Sequence, residues 1–442
     1  MAATEIETET AGATHTPRPR VLLLMGPATY RAGAFLSAAE DAGIEVVQGV
    51  DLPPALTERW QVPLAIDLAD PNASVRAIVA FAQHTPVAAI LSVDDSATLL
   101  AALASAALGL LNNSPESALA ARDKSVMRRA LSAAGVPCPV FREFALSDDA
   151  GWVAGQVEYP CVVKPLRLSG SRGVIRADTP EEFAAAFART RRILAGEGAG
   201  EGMDRVLVED FIPGVEVALE GLVTHGKLRV LALFDKPDPL DGPFFEETIY
   251  VTPSRLAPRV QDAIAACVAG AVTALGLREG PVHAELRVNE RGTWMLEIAG
   301  RSIGGLCSSV LRFGADVCLE ELILRHAAGL PLPSLERERH AAGVMMIPIP
   351  AAGILRGYRG VEEARAVPGI EGVEITAKPH YSVVPLPEGA SYLGFIFARG
   401  ETPAEAEAAL RAAHACLSFD IKPELPLLRR SPAATDSPGG TL

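Results

Sequence analysis

The chain has 442 residues, of which 49% are hydrophobic and 21% are charged. It is too long for a single core, and we expect about two to four packed units. Its formal net charge of −14 argues against nucleic acid as a main partner, although local cations decide the binding of small anionic ligands. Six cysteines without CxxC or histidine-paired spacing favour a reduced intracellular protein.

Targeting signals give a similar expectation. The segment before Pro19 lacks the apolar core of a signal peptide, and the apolar run 99–111 is too short to cross a bilayer. We therefore expect a cytoplasmic protein with no membrane partner.

The N-terminal part alternates strand and helix patterns. A buried strand is predicted over 21–26, a helix over 32–42 that ends at Gly43, a strand over 87–93 and a helix from Ser96. This order is typical of a βα unit with a parallel sheet. The stretch after the first strand has no GxGxxG spacing, which argues against a dinucleotide-dependent oxidoreductase.

The rest of the chain predicts further units. A turn cluster at 112–117 marks a boundary, and helices are predicted at 122–134 and 259–276. From about Ala341, short strands precede a helix capped at Thr402, which is typical of a small α+β unit. The fold class is therefore α/β plus α+β, with these segments: a disordered tail at 1–19, a βα unit at 20–115, a first lobe at 116–202, a second lobe at 203–338, an α+β domain at 339–428 and a disordered tail at 429–442.

A predicted β-hairpin, HAELRVNERGTWMLEIAGRSIGG, carries two glutamates. A loop of Glu290, Arg291 and Gly292 would place Asn289 opposite Thr293, Arg287 opposite Met295, Glu285 opposite Glu297 and His283 opposite Ala299. Alternation then gives one apolar face, formed by Ala284, Leu286, Val288, Trp294, Leu296 and Ile298. The opposite face carries both glutamates.

Two directly opposed carboxylates repel each other, so this face needs an explanation. A divalent cation such as Mg²⁺ would relieve the repulsion; alternatively, both groups are hydrated or Arg287 neutralises one of them. Arg301 follows closely, beside Gly304 and Gly305, and carboxylate-held metal with a guanidinium suits a transferring phosphoryl group. This neighbourhood favours the metal hypothesis.

A second candidate phosphate contact is the glycine loop, residues 169–173, which follows the predicted strand 159–166. Lys164 ends that strand, and the loop's backbone N–H groups are suited to bind β- and γ-phosphates. The loop is not a Walker A motif, and an ordinary hairpin tip is the alternative. Its proposed contacts are Ser169, Gly170, Ser171 and Gly173.

Four motifs occur in a characteristic order: RDK, VVKP with SGSRGV, VEDFIPGVE, and HAELRV with WMLEIAGR. Together they resemble the ATP-grasp superfamily over 122–305. The N-terminal βα unit looks like the pre-grasp domain that precedes the two-lobed ATP-grasp fold. The segment AAGILRGYRGVEEARAV, with the chain that follows it, looks like the small C-terminal domain of the L-amino acid ligases, which join two amino acids or related acids.

The resemblance implies roles for individual residues. ATP phosphates would be bound by Lys124 and Lys164, and Mg²⁺ or Mn²⁺, as two ions, by Glu285 and Glu297. Arg301 would contact the transferring phosphate, and Glu247 or its neighbour Glu246 would receive a substrate ammonium. Adenine would lie along Glu209, Asp210, Phe211 and Ile212, with the ribose at Glu216. His283 would line the cleft or serve as a structural histidine. The resemblance also allows a homodimer.

Two positions bear on the substrate. Some relatives carry a bulky residue where this chain has Gly305, and a histidine where it has Tyr250. We therefore expect a wider acceptor pocket than in enzymes that form small dipeptides. Cys307 lies near the site, but no histidine or aspartate is placed beside it, so we interpret it as a packed small residue.

The implied reaction joins an amino acid or related carboxylic acid to an amine through an acyl phosphate, and releases ADP and phosphate. The first alternative is a biotin-dependent carboxylase component, although no AMKM-like biotinyl segment occurs in the chain. The second is a non-catalytic nucleotide-binding protein, which would lack a metal carboxylate or a phosphate lysine.

Overall fold

The structure is a computed structural model that describes residues 18–27, 29–197, 200, 202–314 and 316–424. Of the two tails that we expect to be disordered, only Arg18 and Pro19 fall within the described residues.

The N-terminal unit is a parallel sheet of order β3-β2-β1-β4 with helices packed around it. After Arg20, its strand β1 is apolar and buried, as a strand covered on both faces requires. The elements are β1 (Arg20–Met25), α1 (Ala32–Ala42), β2 (Glu45–Asp51), α2 (Thr57–Trp60), β3 (Leu64–Ile66), α3 (Pro71–His84), β4 (Ala89–Ser92) and α4 (Thr98–Leu108).

A second, antiparallel sheet has the order β5-β8-β6-β7. Its elements and the helices that precede it are α5 (Pro115–Ala120), α6 (Lys124–Ala133), β5 (Phe141–Ala145), α7 (Ala150–Ala154), β6 (Cys161–Pro165), β7 (Ile175–Ala177), α8 (Pro180–Gly196) and β8 (Arg205–Asp210). Strand β8 lies between β5 and β6, so this sheet extends past the limit at 202 that we predicted for the first lobe.

The largest sheet has eight strands in the order β13-β12-β9-β10-β11-β16-β20-β18. The elements up to residue 327 are β9 (Val215–Thr224), β10 (Lys227–Asp235), β11 (Ile249–Thr252), α9 (Pro258–Leu275), β12 (Glu279–Asn289), β13 (Gly292–Ala299), β14 (Arg312–Phe313), β15 (Val317–Cys318) and α10 (Leu319–Ala327). The later elements are β16 (Ala341–Ile347), β17 (Gly353–Arg359), α11 (Val361–Arg365), β18 (Ile370–Ile375), β19 (Ser382–Val383), β20 (Gly394–Gly400), α12 (Pro403–Cys416) and β21 (Ser418–Lys422).

This large sheet crosses the predicted boundary between 338 and 339, because β11 pairs with β16. The C-terminal segment therefore adds three strands to an existing sheet, in addition to its own small sheet β19-β17-β21. The domain limits from the sequence stay proposals.

The strong local patterns were located to within two residues. Helices predicted at 32–42, 122–134 and 259–276 correspond to α1, α6 and α9. Thr402 caps α12 in a capping box with Glu405, as its spacing indicates. Among the described helices, none has the length and apolarity needed to cross a membrane.

Candidate functional site

A cavity of about 350 Å³ lies where the three larger parts of the chain meet. It is lined by loops of the N-terminal unit, by the glycine loop and β6, by β9, β12 and β13, and by a segment near residue 390. Its lining includes the following predicted site residues: Lys124, Lys164, Ser169, Gly170, Ser171, Glu209, Asp210, Phe211, Ile212, Glu216, Glu247, Tyr250, His283, Glu285, Glu297, Arg301, Gly304 and Gly305.

Gly173 is the predicted site residue outside this lining. Its φ is +70°, and an added Cβ would lie 2.7 Å from Cγ of Pro165. Gly170 and Ser171 also have positive φ, at 64° and 55°. Positive φ at these positions bends the backbone sharply, and the N–H of Gly173 is bonded to Pro387 O at 2.9 Å. Gly173 therefore shapes the loop rather than the cavity wall.

The hairpin closes differently from our prediction. Asn289 pairs with Gly292, so the loop contains only Glu290 and Arg291, and Arg287 pairs with Trp294. A β-bulge then inserts Leu296 and restores the predicted pairs Glu285–Glu297 and His283–Ala299. The predicted register was wrong near the turn and right at the glutamates.

The bulge also changes which side chains form the apolar face. Met295 is buried in the core with Leu286, whereas Leu296 lines the cavity. Trp294 is only half-buried, and the guanidinium of Arg291 lies 5.1 Å from its ring centre. Bulges occur beside active sites because they redirect side chains, and no sequence pattern marked this one.

The two hairpin glutamates each have an internal lysine partner. Glu285 Oε1 lies 3.0 Å from Nζ of Lys236, and Glu297 lies 3.3 Å from Nζ of Lys124. Arg287, which we considered as the neutralising group, instead pairs with Glu216 at 2.9 Å. Burial would raise the pKa of Glu285, but Lys236 and His283 hold it well below its usual range.

Lys236 is a site residue that sequence reasoning missed. Its Nζ contacts Glu216 at 2.9 Å, Glu285 at 3.0 Å and Glu247. Burial lowers the pKa of this ammonium, but the three carboxylates raise it well above the ordinary value. The sequence contained one signal for it, because this lysine directly follows β10, whose second half is buried.

The carboxylates around Lys236 form the group best suited to a divalent cation. Glu216, Glu247 and Glu285 each offer an oxygen within 4.8 Å of the others. Carboxylate oxygens are the ligands that Mg²⁺ prefers, and a buried cluster of them is stable only with a cation among them. Lys236 already supplies a cation to all three carboxylates, so the cluster does not by itself require Mg²⁺. The oxygen donors of Glu285, which faces Glu297 across the hairpin, fit Mg²⁺. Glu297 reaches the cavity opposite Glu285 but is not a member of this group.

His283 lines the cavity and is also hydrogen-bonded within the fold. Its Nδ1 bonds to Glu220, and its Nε2 lies 3.5 Å from Glu285 Oε1. Burial alone would lower the pKa of this imidazole, but Glu220 and Glu285 raise it to about 9. His283 thus lines the cavity and is also hydrogen-bonded within the fold, so the two roles that we considered for it do not exclude each other.

Lys164 reaches the cavity from β6 and is held by a buried carboxylate. Glu209 lies 2.7 Å from Nζ of Lys164 and 2.6 Å from Nε of Arg128. The Glu209 side chain is thus oriented toward these two cations. Arg128 is fully buried on α6, and nothing in the sequence marked it as part of the site.

The segment predicted to bind adenine is partly committed to the fold. Asp210 N donates to Val140 O and Phe211 N to Pro160 O, both at 3.0 Å. The Phe211 ring stacks on Phe245, with centres 6.4 Å apart, and the Arg176 guanidinium lies 4.0 Å from the Phe211 ring centre. Phe211 and Phe245 both line the cavity, so the predicted adenine end has an aromatic wall, which we name the Phe211 wall.

At the end of the cavity opposite the predicted adenine site, which we name the substrate end, Glu247 lines the cavity beside Tyr250. Burial and Glu285 raise the pKa of Glu247 to about 7, against the effect of Lys236. Glu246 does not line the cavity, which favours Glu247 among the two candidates. The thiol pKa of Cys307 is raised by burial and by Glu247, so the thiol stays neutral and packs as a small residue.

Gly305 adopts a φ of +63°, and an added Cβ would lie 2.9 Å from Cε1 of Phe395. The Phe395 ring also contacts Tyr30 and Tyr392, with centroids 6.0 and 6.1 Å apart. The space beside Gly305 is therefore bordered by aromatic residues of the N- and C-terminal parts.

The N-terminal unit contributes residues that sequence reasoning did not place in the site. Arg301 Nε lies 3.8 Å from Asp95 Oδ1, and Arg31 donates to Val93 O and, at 2.7 Å, to Ser302 Oγ. The acidic pair at 94–95 follows the end of β4 by one residue, and the carboxyl end of a parallel strand is a usual position for ligand contacts. That signal was available in the sequence.

Comparisons with known proteins agree with this arrangement. Residues 157–310 match the ATP-grasp domain family, 36–110 the ATP-grasp N-terminal domain and 345–422 the L-amino acid ligase C-terminal domain 2. The crystal structure of L-amino acid ligase from Bacillus licheniformis superposes with a TM-score of 0.77 at 26% identity, covering 92% of this chain and all (100%) of that chain.

Two curated proteins are similar over part of the sequence. Alanine–anticapsin ligase of Bacillus subtilis is 26% identical over 252 residues, 52% of this chain and 53% of that protein. Dapdiamide A synthase of Enterobacter agglomerans is 27% identical over 238 residues, 53% of this chain and 55% of that protein. The chain thus spans about half the length of these curated relatives.

Proposed function

We propose that this chain, which belongs to the ATP-grasp superfamily in the branch carrying the L-amino acid ligase C-terminal domain, is an ATP-dependent carboxylate–amine ligase. It joins an amino acid or related carboxylic acid to an amine and releases ADP and phosphate. The supporting observation is that one cavity collects two phosphate lysines, the glycine loop, the hairpin glutamates, Arg301 and the buried Glu247.

We assign ATP to the half of the cavity between the two β-sheets. Lys124 and Lys164 bind phosphate oxygens together with backbone N–H groups of residues 169–171 in the glycine loop. Adenine lies against the Phe211 wall, and the Ile212 amide is the candidate donor to its edge. Glu216, which Lys236 and Arg287 hold at the cavity wall, accepts a hydrogen bond from the ribose.

Glu285 and Glu297 hold Mg²⁺ or Mn²⁺ in this proposal, as one or two ions. When bound, the metal neutralises charge that develops on the phosphates. In the structure, Lys124 pairs with Glu297 and Lys236 pairs with Glu285. These ion pairs orient both glutamates.

The first step forms an acyl phosphate. Glu247 receives the substrate ammonium, and Arg301 orients the substrate carboxylate toward the γ-phosphate. A carboxylate oxygen attacks the γ-phosphorus, the bond to the β,γ-bridging oxygen breaks, and ADP leaves with that electron pair. Lys164 and Arg301 stabilise the charge on the transferring group, which is usually the largest contribution in such a site.

The second step forms the amide. The amine nitrogen attacks the acyl carbon, the carbon–oxygen bond to phosphate breaks, and phosphate departs while the amine loses a proton to solvent or phosphate. The glycine loop covers the intermediate and excludes water, which would otherwise hydrolyse it. Cytoplasmic location and a homodimer stay predictions from the sequence and its resemblance.

The test is a screen of phosphate release by the purified chain with ATP, Mg²⁺ and pairs of amino acids or carboxylic acids, with mass spectrometry of the products. We expect ADP and phosphate in equal amounts with an amide. Formation of AMP and pyrophosphate would contradict the proposal. Bicarbonate-dependent ATP cleavage stimulated by biotin would instead favour the carboxylase alternative. Coupling restricted to acceptors as small as glycine or alanine would remove the support for a wide pocket.

A further inference from the structure

The C-terminal part of the chain reaches the glycine loop through a short turn that we name the clasp, residues 385–392. Gly173 N donates to Pro387 O at 2.9 Å, and Arg172 Nε donates to Glu388 O at 2.7 Å. An added Cβ at Gly170 would lie 3.6 Å from Cβ of Ala390. The loop proposed to cover the phosphates is therefore attached to a segment 216 residues further along the chain.

A two-pronged ion pair strengthens this attachment. Arg189 on α8 donates to the two carboxylate oxygens of Glu388 at 2.7 and 2.9 Å, and its guanidinium lies 4.9 Å from the ring centre of Phe244. The side chains are 35% and 42% exposed. Such a pair is geometrically specific but weakened by solvent, which suits a contact that must open in each cycle.

The clasp is a turn closed by its own hydrogen bond, and its last residues line the cavity. Gly389 N donates to Pro385 O at 2.9 Å, and an added Cβ at Gly389 would lie 1.8 Å from Val384 O. Immediately afterwards, Ala390 and Tyr392 line the cavity. The Tyr392 ring packs against Phe395, with centroids 6.1 Å apart, and Phe395 lies beside Gly305, so the Tyr392 ring lies at the substrate end.

We propose that Glu388 is a positioning residue that links occupancy of the substrate end to closure of the glycine loop. Substrate packed against Tyr392 holds the clasp in place, and Glu388 with Pro387 then holds the loop over the phosphates. The acyl phosphate therefore forms in a site that is already closed to water. Glu388 itself touches neither nucleotide nor substrate; this inference rests on the ligase function proposed above.

The test compares Glu388→Gln with the wild type in two measurements. The first is the ratio of ADP formed to amide formed, which rises when water reaches the intermediate. We expect Glu388→Gln to raise it roughly two- to fivefold, in line with the strength of an exposed ion pair. The exchanged pair Arg189→Glu with Glu388→Arg should restore it. Glu371→Gln is the matched control, because Glu371 pairs with Arg399 in the same part of the chain.

The second measurement is hydrogen–deuterium exchange of residues 169–173 with ADP and Mg²⁺, which needs no turnover. We expect nucleotide to slow exchange in the wild type, and less so in Glu388→Gln. An equal slowing in both proteins, or an unchanged ratio of ADP to amide, would overturn the role of Glu388 and leave the ligase proposal standing. A wild-type loop that does not respond to nucleotide would overturn both.

Discussion

The two sides of the cavity are built in opposite ways. On the large sheet, Lys236 and its three carboxylates are held by neighbouring strands, and the side chain of Lys236 is only 2% exposed. On the other side, the glycine loop is bonded to the clasp, and the clasp is held to α8 by an ion pair that is more than a third exposed on average. Buried charges on a sheet hold their geometry because losing a partner is costly, whereas exposed pairs separate easily. The comparison indicates a fixed chemical face and a covering loop that opens.

The largest expected effect concerns the fixed face. Lys236→Met removes the cation shared by Glu216, Glu247 and Glu285, and we expect a loss of about 3–5 kcal/mol in the free energy of unfolding. Added Mg²⁺ should recover part of that loss, because it supplies a new cation. Thermal unfolding with and without Mg²⁺ measures both effects. Lys227→Met, an exposed lysine at the start of β10, is the control; an equal loss in both variants would refute the shared-cation account.

The next effect concerns the metal ligand opposite Glu285. Glu297→Gln keeps the shape of the side chain but removes its charge. We expect turnover to fall by about 10²–10³-fold, the usual result of deleting one preorganised electrostatic group, with unchanged thermal stability. Glu290→Gln in the exposed turn of the same hairpin should be neutral. Retained turnover in Glu297→Gln would count against the metal assignment.

A smaller effect tests how tightly the Phe395 ring packs against Gly305. Gly305→Ala places a Cβ against Phe395 at a positive φ, and we expect a loss of about 1–3 kcal/mol in stability. Gly304→Ala is the matched control, because an added Cβ there meets nothing within 4 Å. Chemical denaturation compares the two. Equal stabilities would show that the Phe395 ring moves aside freely.

The smallest effect concerns the covering loop. Raising the salt concentration screens the pair of Arg189 and Glu388, so exchange at residues 169–173 should accelerate by roughly twofold to fivefold. The same salt change should leave the Lys236 cluster unaffected, because buried pairs are screened far less. Thermal stability of the wild type at both salt concentrations checks this contrast. If exchange at residues 169–173 does not change with salt concentration, the clasp is a rigid part of the molecule.

The sequence predicted the paired glutamates of the fixed face and the glycine loop of the covering side, but not the groups that hold either of them. Glu285 and Glu297 were paired correctly, because strand alternation and an apolar opposite face restrict the register. The bulge at Leu296 was missed. The predicted turn was one residue too long and the predicted strand lacked the one-residue bulge, so the two errors cancelled before the glutamates. Lys236, Arg128 and the clasp were also missed, because their contacts join segments far apart in the chain and leave no local periodicity. The substrate end shares that difficulty, since Tyr30 and Tyr392 come from opposite ends of the chain.

The most direct test of the ligase account follows oxygen from the acid substrate. The chain is supplied with ATP, Mg²⁺, an amine and a carboxylic acid labelled with ¹⁸O in its carboxylate, and the released phosphate is examined by mass spectrometry. Attack of the carboxylate on the γ-phosphate predicts one labelled oxygen in each phosphate released with an amide. Label in AMP, or phosphate without label, would contradict the acyl-phosphate route.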